Sequence, residues 1–275
     1  MIQLGQFHTL PVQRLSDFGA FLGAGDLGEV LLPRRYVTEG LKVGDFVRVF
    51  LHMDSEDRPV ATTETPKAVV GEFACLKVNS VTKFGAFLDW GLGKDLLVPF
   101  GEQQRPMEEG RSYLVYIYLN PHDGRLTASS KIDKFLDKKP SFFKAGQPVD
   151  LIVANSTDLG FKAIVNHSHW GVLFSDEVFQ RLSFGQSIKG FIKRVRPDGK
   201  IDLSLRSNQE LGDSHAQVIL KYLDSNNGFA PLHDKSSPEQ IKRAFAMSKA
   251  AFKRTIGHLY KQGIIDLEDA GIRRK

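Results

Sequence analysis

One segment of this 275-residue chain is written twice, and that repeat constrains the fold more than any other feature. Asp17-Phe18-Gly19-Ala20-Phe21-Leu22 returns 66 residues later as Lys83-Phe84-Gly85-Ala86-Phe87-Leu88. The same offset carries Val30-Leu31-Leu32-Pro33 onto Leu96-Leu97-Val98-Pro99, Gly44 onto Gly110, and Val60-Ala61-Thr62-Thr63 onto Leu126-Thr127-Ala128-Ser129. A more divergent third copy follows 75 residues on, with Gly85 at Gly160, Gly110 at Gly185, and Asp123-Gly124-Arg125-Leu126 at Asp198-Gly199-Lys200-Ile201. Length alone suggests about two domains. The repeat divides the chain into four: units at 1–65, 66–131 and 145–208, a Lys-rich linker at 132–144 containing Pro140, and a final domain at 209–275.

Each unit reads as short strands. In the second, Phe73–Val81 leads into Gly85–Trp90, then a Gly-Leu-Gly turn, Leu96–Pro99, Ser112–Leu119, the Asp123-Gly124 turn and Arg125–Ser129. Five strands with Gly-rich turns suit a small closed barrel. Units this short have little core of their own, so packing between neighbours is expected.

Charge and composition set the outer limits. A quarter of the residues are charged, and no apolar run approaches the ~20 residues of a membrane-spanning helix. The N-terminus, MIQLGQFHTLPVQR, lacks the basic start and apolar stretch of a signal peptide. A single cysteine, Cys75, cannot form an internal disulfide and fits a reducing cytosol. The net charge of +5 is unevenly spread: −3 over 1–65, +2 over 66–140, +3 over 141–208 and +3 over 209–275. A polyanion is thus favoured by the last three-quarters of the chain over the first segment.

The order strand, Phe-Gly-Ala-Phe, Gly turn, short aliphatic strand, Gly before a strand and Asp-Gly-Arg/Lys turn resembles the ribosomal protein S-one type of OB barrel. The resemblance covers most of residues 1–206 and implies RNA binding on the open barrel face. Alternation along Gly85-Ala86-Phe87-Leu88 sends Ala86 and Leu88 to one side and Phe87 to the other. If the aliphatic side fills the barrel, Phe84 and Phe87 flank a flat glycine as a platform for a base, and Phe18 and Phe21 repeat the arrangement. The alternative is that these rings pack against a core or a neighbouring unit. Lys77, Lys83 and Arg125 are placed to meet phosphates, as the family's basic residues do. In the third unit the candidates are Phe161, Lys162, His169, Trp170, Lys193, Arg194 and Lys200. The histidine usual on the family's third strand is replaced by Leu32 and Val98.

After residue 208 the apolar period becomes helical. Ala216, Ile219, Leu220 and Leu223 form one stripe, closed by Asn226-Asn227-Gly228. Ser237-Pro238-Glu239-Gln240 announces a second helix through a capping box with Pro at its first position. A third helix from about Ser248 buries Phe252, Ile256 and Leu259 and presents Lys249, Lys253, Arg254, His258 and Lys261; Ile264–Leu267 and Gly271-Ile272 can form a hairpin. This pattern resembles a winged helix. Its basic third helix suits either a major-groove reader or a solvated face on a structural or RNA-binding module. Three such barrels followed by MSKAAFKRTIGHLYKQGII resemble the conserved virulence factor B family of bacterial RNA-binding regulators. That resemblance implies a cytoplasmic, non-enzymatic protein, without cofactor or metal, that binds single-stranded RNA and acts on gene expression after transcription, virulence or stress genes included. The expected fold is multidomain and mostly β: three tandem five-stranded OB-type barrels followed by an α+β winged-helix domain.

Three motifs imitate other chemistry. Gly23-Ala-Gly25-Asp-Leu-Gly28 matches a dinucleotide fingerprint, but Glu29-Val30-Leu31-Leu32-Pro33 follows where a helix is required, so it reads as a hairpin loop. His167-Ser168-His169 lacks a third ligand at a recognised spacing and reads as a polar strand face. Asp54-Ser55-Glu56-Asp57 reads as a solvated turn. No nucleophile–base pair can be singled out. Two readings compete with RNA binding: duplex-DNA regulation through the winged helix, and a scaffold docking on ribosome or polymerase. Under the leading reading, several weak barrels gain avidity on one long RNA.

Overall fold

The structure is a computed structural model, and it describes residues 2–137, 142–178 and 180–275. Three closed five-stranded barrels follow one another. The first contains β1 (Phe7–Ser16), β2 (Gly19–Gly23), β3 (Glu29–Pro33), β4 (Phe46–Met53) and β5 (Pro59–Thr62). The second contains β6 (Phe73–Thr82), β7 (Gly85–Asp89), β8 (Leu96–Pro99), β9 (Ser112–Leu119) and β10 (Leu126–Ser129). The third contains β11 (Pro148–Thr157), β12 (Gly160–Val165), β13 (His169–Phe174), β14 (Ser187–Val195) and β15 (Ile201–Ser204). In each, the third and fifth strands lie side by side, so the order is β1-β2-β3-β5-β4 and its two equivalents.

The repeated residues recur because the barrel needs them at fixed places. Gly19, Gly85 and Gly160 open the second strand at φ 144, 141 and 143, a region L side chains rarely enter. A Cβ at any of them would strike the carbonyl oxygen of Leu32, Val98 or Leu173 on the facing strand. The long first strand bulges at the same point in all three barrels, between Val12 and Arg14, Val78 and Ser80, and Val153 and Asn155. A bulge sharpens the bend that closes a small barrel. Beside it, the N–H groups of Gly44, Gly110 and Gly185 donate to Val12, Val78 and Val153 O at 2.8, 2.9 and 2.7 Å. Leu10, Val12, Ala20, Leu22, Val30 and Leu32 fill the first barrel, and Leu76, Val78, Ala86, Leu88, Leu96 and Val98, each 66 residues on, fill the second. The third barrel has the same register with redistributed volume. Phe161 stands where the second has Ala86, while Ala163 and Gly171 replace Leu88 and Leu96.

Neighbouring barrels share core, as units this small require. Phe50, on β4, is buried in the second barrel's cluster, edge-on to Phe7 (5.3 Å) and to Trp90 (5.7 Å). At the next junction Phe73 stacks on His167 (6.4 Å, 2°) and donates its N–H to His167 Nδ1 at 2.9 Å. His167 therefore sits on a turn with φ 53 and serves the junction, and β13 starts only at His169. Ile132, Phe135 and Leu136, from the stretch read as linker, pack into the same cluster. Residues 138–141, Pro140 among them, lie outside the described residues.

The C-terminal module has its own core. Helix α1 (Asn208–Ser225) starts at a Ser207 capping box, α2 (Pro238–Phe245) at a Ser237 capping box closed by Gln240, and α3 (Lys249–Lys261) at Ser248. Strands β16 (Phe229–Ala230), β17 (Ile265–Glu268) and β18 (Gly271–Arg274) make a small sheet in the order β16-β18-β17. Ile219, Leu223, Ile241, Phe245, Phe252, Ile256, Leu259, Ile265 and Ile272 bury one apolar stripe per element. Among the described residues, no helix is long and apolar enough to cross a membrane.

Candidate nucleic-acid interface

Alternation on β7 places Ala86 and Leu88 fully inside the barrel and leaves Phe87 half-exposed, with Phe84 63% exposed at the strand's start. The Thr82 hydroxyl accepts the Phe84 N–H at 3.2 Å, which fixes the turn that presents the ring. Phe84, Phe87 and Arg125 converge on one cleft of about 290 Å³. The first barrel also lines it, with His52 and Met53 at the end of β4 and Asp57 in the β4–β5 turn.

That turn carries carboxylates onto the second barrel's cations. Asp57, held at φ 58, accepts a hydrogen bond from Arg125 and lies 3.7 Å from Lys94. Lys94 also donates to the Asp54 carbonyl at 2.5 Å. Desolvation raises the Asp54 carboxyl, but the backbone N–H and guanidinium of Arg58 overcome it and hold the group below its usual range. Burial pushes the His52 imidazole below its ordinary value. With Asp57, Asp95 and Asp123 against Lys94 and Arg125, this cleft is rich in aromatic surface and poor in free positive charge.

The other expected residues are placed as follows. Lys83 Nζ lies 5.2 Å from the Phe84 ring centre, while Lys77 is exposed on β6 outside the cleft lining. Phe18 is 77% exposed; Phe21 is covered by the Arg14 guanidinium at 3.4 Å, which pairs with Glu29 at 2.9 Å. Lys162 occupies the register of Phe87, so the exposed face of the third barrel carries an ammonium where the second carries a ring. Phe161, in the register of buried Ala86, lies on the core-facing side of its strand and is half-buried. Lys162 Nζ sits 3.8 Å over the Trp170 ring, and Trp170 Nε1–H donates to Asp133 at 2.8 Å. His169 is half-buried beside Ser168 Oγ (2.9 Å). Lys193 and Arg194 are exposed on β14, and Lys200 pairs with Asp198 at 3.1 Å in the β14–β15 turn. On α3, Lys253, Arg254 and Lys261 are exposed and Lys249 is half-buried, with Lys253 3.8 Å from Asp234.

A second cleft, of about 380 Å³, lies between the second and third barrels. It gathers Lys162 and Trp170 with Gln104, Arg105, Asn155 and Phe184, four residues that the repeat did not single out. Gly23 closes β2, paired with Glu29, and Gly25 and Gly28 lie in the β2–β3 connection, with a 3₁₀ turn at Gly25–Leu27. Asp54–Asp57 is a hairpin turn, engaged by Arg58, Lys94 and Arg125.

Three tandem five-stranded barrels, followed by a three-helix module with a small three-stranded sheet, define the class: a multidomain protein of nucleic-acid-binding modules. Residues 4–64 and 70–131 match the S1 domain model, and residues 217–273 match the CvfB-like winged helix domain. YitL of Bacillus subtilis is 32% identical, the alignment covering 96% of this chain and 91% of that protein. Conserved virulence factor B of Staphylococcus aureus is 29% identical over 84% of this chain and 80% of its own. A crystal structure of a multidomain protein with nucleic acid binding domains from Streptococcus pneumoniae is 25% identical, with a TM-score of 0.42 over 99% of this chain and 98% of that one. The chain belongs to the CvfB-like family, S1 domains joined to a CvfB-type winged helix.

Proposed function

We propose that this protein binds single-stranded RNA through its barrel faces and acts in the cytoplasm, without catalysis, on gene expression after transcription. The observation that carries the reading is the pair Phe84, exposed, and Phe87, half-exposed, which flank a glycine on an S1-type barrel and line one cleft. Exposed rings of this kind stack bases at ~1–3 kcal/mol each without requiring a sequence. Binding is shared among several weak modules, so affinity grows with RNA length. The family resemblance adds regulation of virulence or stress genes as the expected role. The test is fluorescence anisotropy with a labelled unstructured RNA in a salt series. Phe84→Ala is expected to weaken binding roughly 5- to 150-fold, the equivalent of one lost stack, while Asp17→Ala leaves it unchanged. Failure of the full chain to bind any unstructured RNA at low salt sinks the proposal.

A second reading draws on α3, whose Lys253, Arg254 and Lys261 are exposed on one helix, as contact with duplex DNA would need. It requires a duplex preferred over the matching single strand, and loss of that preference on Lys253→Glu and Arg254→Glu.

A further inference from the structure

The two inter-barrel clefts differ in where their charge is spent. In the first, Arg125 and Lys94 are both answered by Asp57. In the second, Arg105 and Lys162 have no carboxylate partner among the described residues; each lies over a ring, Arg105 at 5.6 Å from Tyr113 and Lys162 at 3.8 Å from Trp170. The one acid lining this cleft, Asp133, accepts from Trp170 Nε1 and so fixes the indole and Lys162 above it. Phe184 is 50% exposed on the cleft wall, which the exposed residues Gln104 and Asn155 also line.

We infer that this second cleft is a nucleotide subsite formed jointly by the second and third barrels. It holds the phosphate of one RNA residue with Arg105 and Lys162, and the base against Phe184 with its edge toward the amides. The inference rests on the proposed RNA binding and adds where the backbone phosphate is taken. Two unneutralised cations attract a phosphate; an exposed ring supplies a stacking face; amides carry both donors and acceptors for a base edge. The volume is in the range of small-ligand sites. The site is composite: Gln104 and Arg105 come from the loop after β8, and Asn155, Lys162 and Phe184 from the third barrel. Neither barrel alone supplies both cations. Division of labour follows, with the first cleft reading a base by stacking and the second anchoring the chain by charge.

The experiment uses the full chain and a labelled unstructured RNA, titrated across a salt series with Arg105→Ala, Lys162→Ala, Phe184→Ala and, as control, the exposed Lys42→Ala. Arg105 and Phe184 are surface side chains, so their variants report even if Lys162→Ala disturbs the Trp170 contact. Arg105→Ala and Lys162→Ala are expected to flatten the logarithmic salt slope by about 0.7 each, one phosphate contact on a single strand. Phe184→Ala is expected to weaken binding roughly 5-fold or more with the slope unchanged. Losses no larger than those of Lys42→Ala, in a protein that binds RNA and is weakened by Phe84→Ala, overturn the subsite and leave the RNA-binding reading standing. Absence of RNA binding by the unaltered chain overturns both.

Discussion

Replacing Asp57 by Asn removes the one carboxylate that the first barrel sets against both cations of the second barrel's cleft. The pair is 56% exposed at Arg125 and 42% at Asp57, so its contribution to stability is small, ~0–1 kcal/mol, and the melting temperature should barely move. Its effect on a polyanion is different, because Asp57 competes with RNA phosphate for the same guanidinium. Two unit charges at about 4 Å in water interact by about 1 kcal/mol. Relief of the competition therefore raises RNA affinity by up to about 5-fold at low salt. Each cation freed to reach a phosphate also steepens the logarithmic salt slope by about 0.7. Anisotropy titrations of the parent and Asp57→Asn proteins at several salt concentrations read both quantities. A gain that fades as salt rises is the expected result. Unchanged affinity and slope, or weaker binding, would refute the claim that this carboxylate occupies a phosphate-binding cation.

Other outcomes follow from the same geometry. Gly85→Ala forces a Cβ against the Val98 carbonyl at a φ of 141, 2.9 Å from Pro99 Cα, and should destabilise the second barrel by at least ~1–3 kcal/mol in urea titration, whereas Gly101→Ala, with open space around it, should not. Burial pushes the Cys75 thiol above its ordinary value, so alkylation at neutral pH should be slow in the folded protein and become fast on denaturation. Burial holds the folded-state pKa of His52 below its unfolded value. The unfolded chain then takes up the proton first as pH falls, so stability is full above the ordinary histidine pKa of about 6.5 and declines as pH drops through it toward the lowered folded value. His52→Gln should flatten that part of the stability–pH curve, measured by thermal melts.

The barrels were legible because their demands on the chain are local and repeated. One glycine must pass under a facing carbonyl, one bulge must bend the first strand, and a fixed set of aliphatic positions must fill the interior, all at constant offsets. Period-two alternation set Phe87 on the side away from Ala86 and Leu88 but did not say whether it or Phe84 faces solvent; the structure leaves Phe84 exposed and Phe87 half-exposed. The third barrel was harder to read: Phe161, only half-buried, takes the register that the second barrel gives to buried Ala86, while Ala163 and Gly171 stand in the places of Leu88 and Leu96. Both clefts were hidden for a different reason. Asp57 meets Arg125 across 68 residues, and Arg105 and Phe184 sit in connecting loops where no periodicity marks a side chain's direction. The roles of Phe7, Phe50 and Phe73 were likewise invisible as a pattern, since alternation does not say that a neighbouring barrel will cover an outward ring. Strand β16, two residues long, offered no pattern at all.

The most direct test of the account is to photo-crosslink a thio-uridine-substituted unstructured RNA to the full chain and map the attached peptides. Adducts on the segments carrying Phe84–Phe87 and Lys162–Phe184, lost on Phe84→Ala and Phe184→Ala respectively, are the predicted result. Adducts confined to α3, with none on either barrel segment, would contradict it.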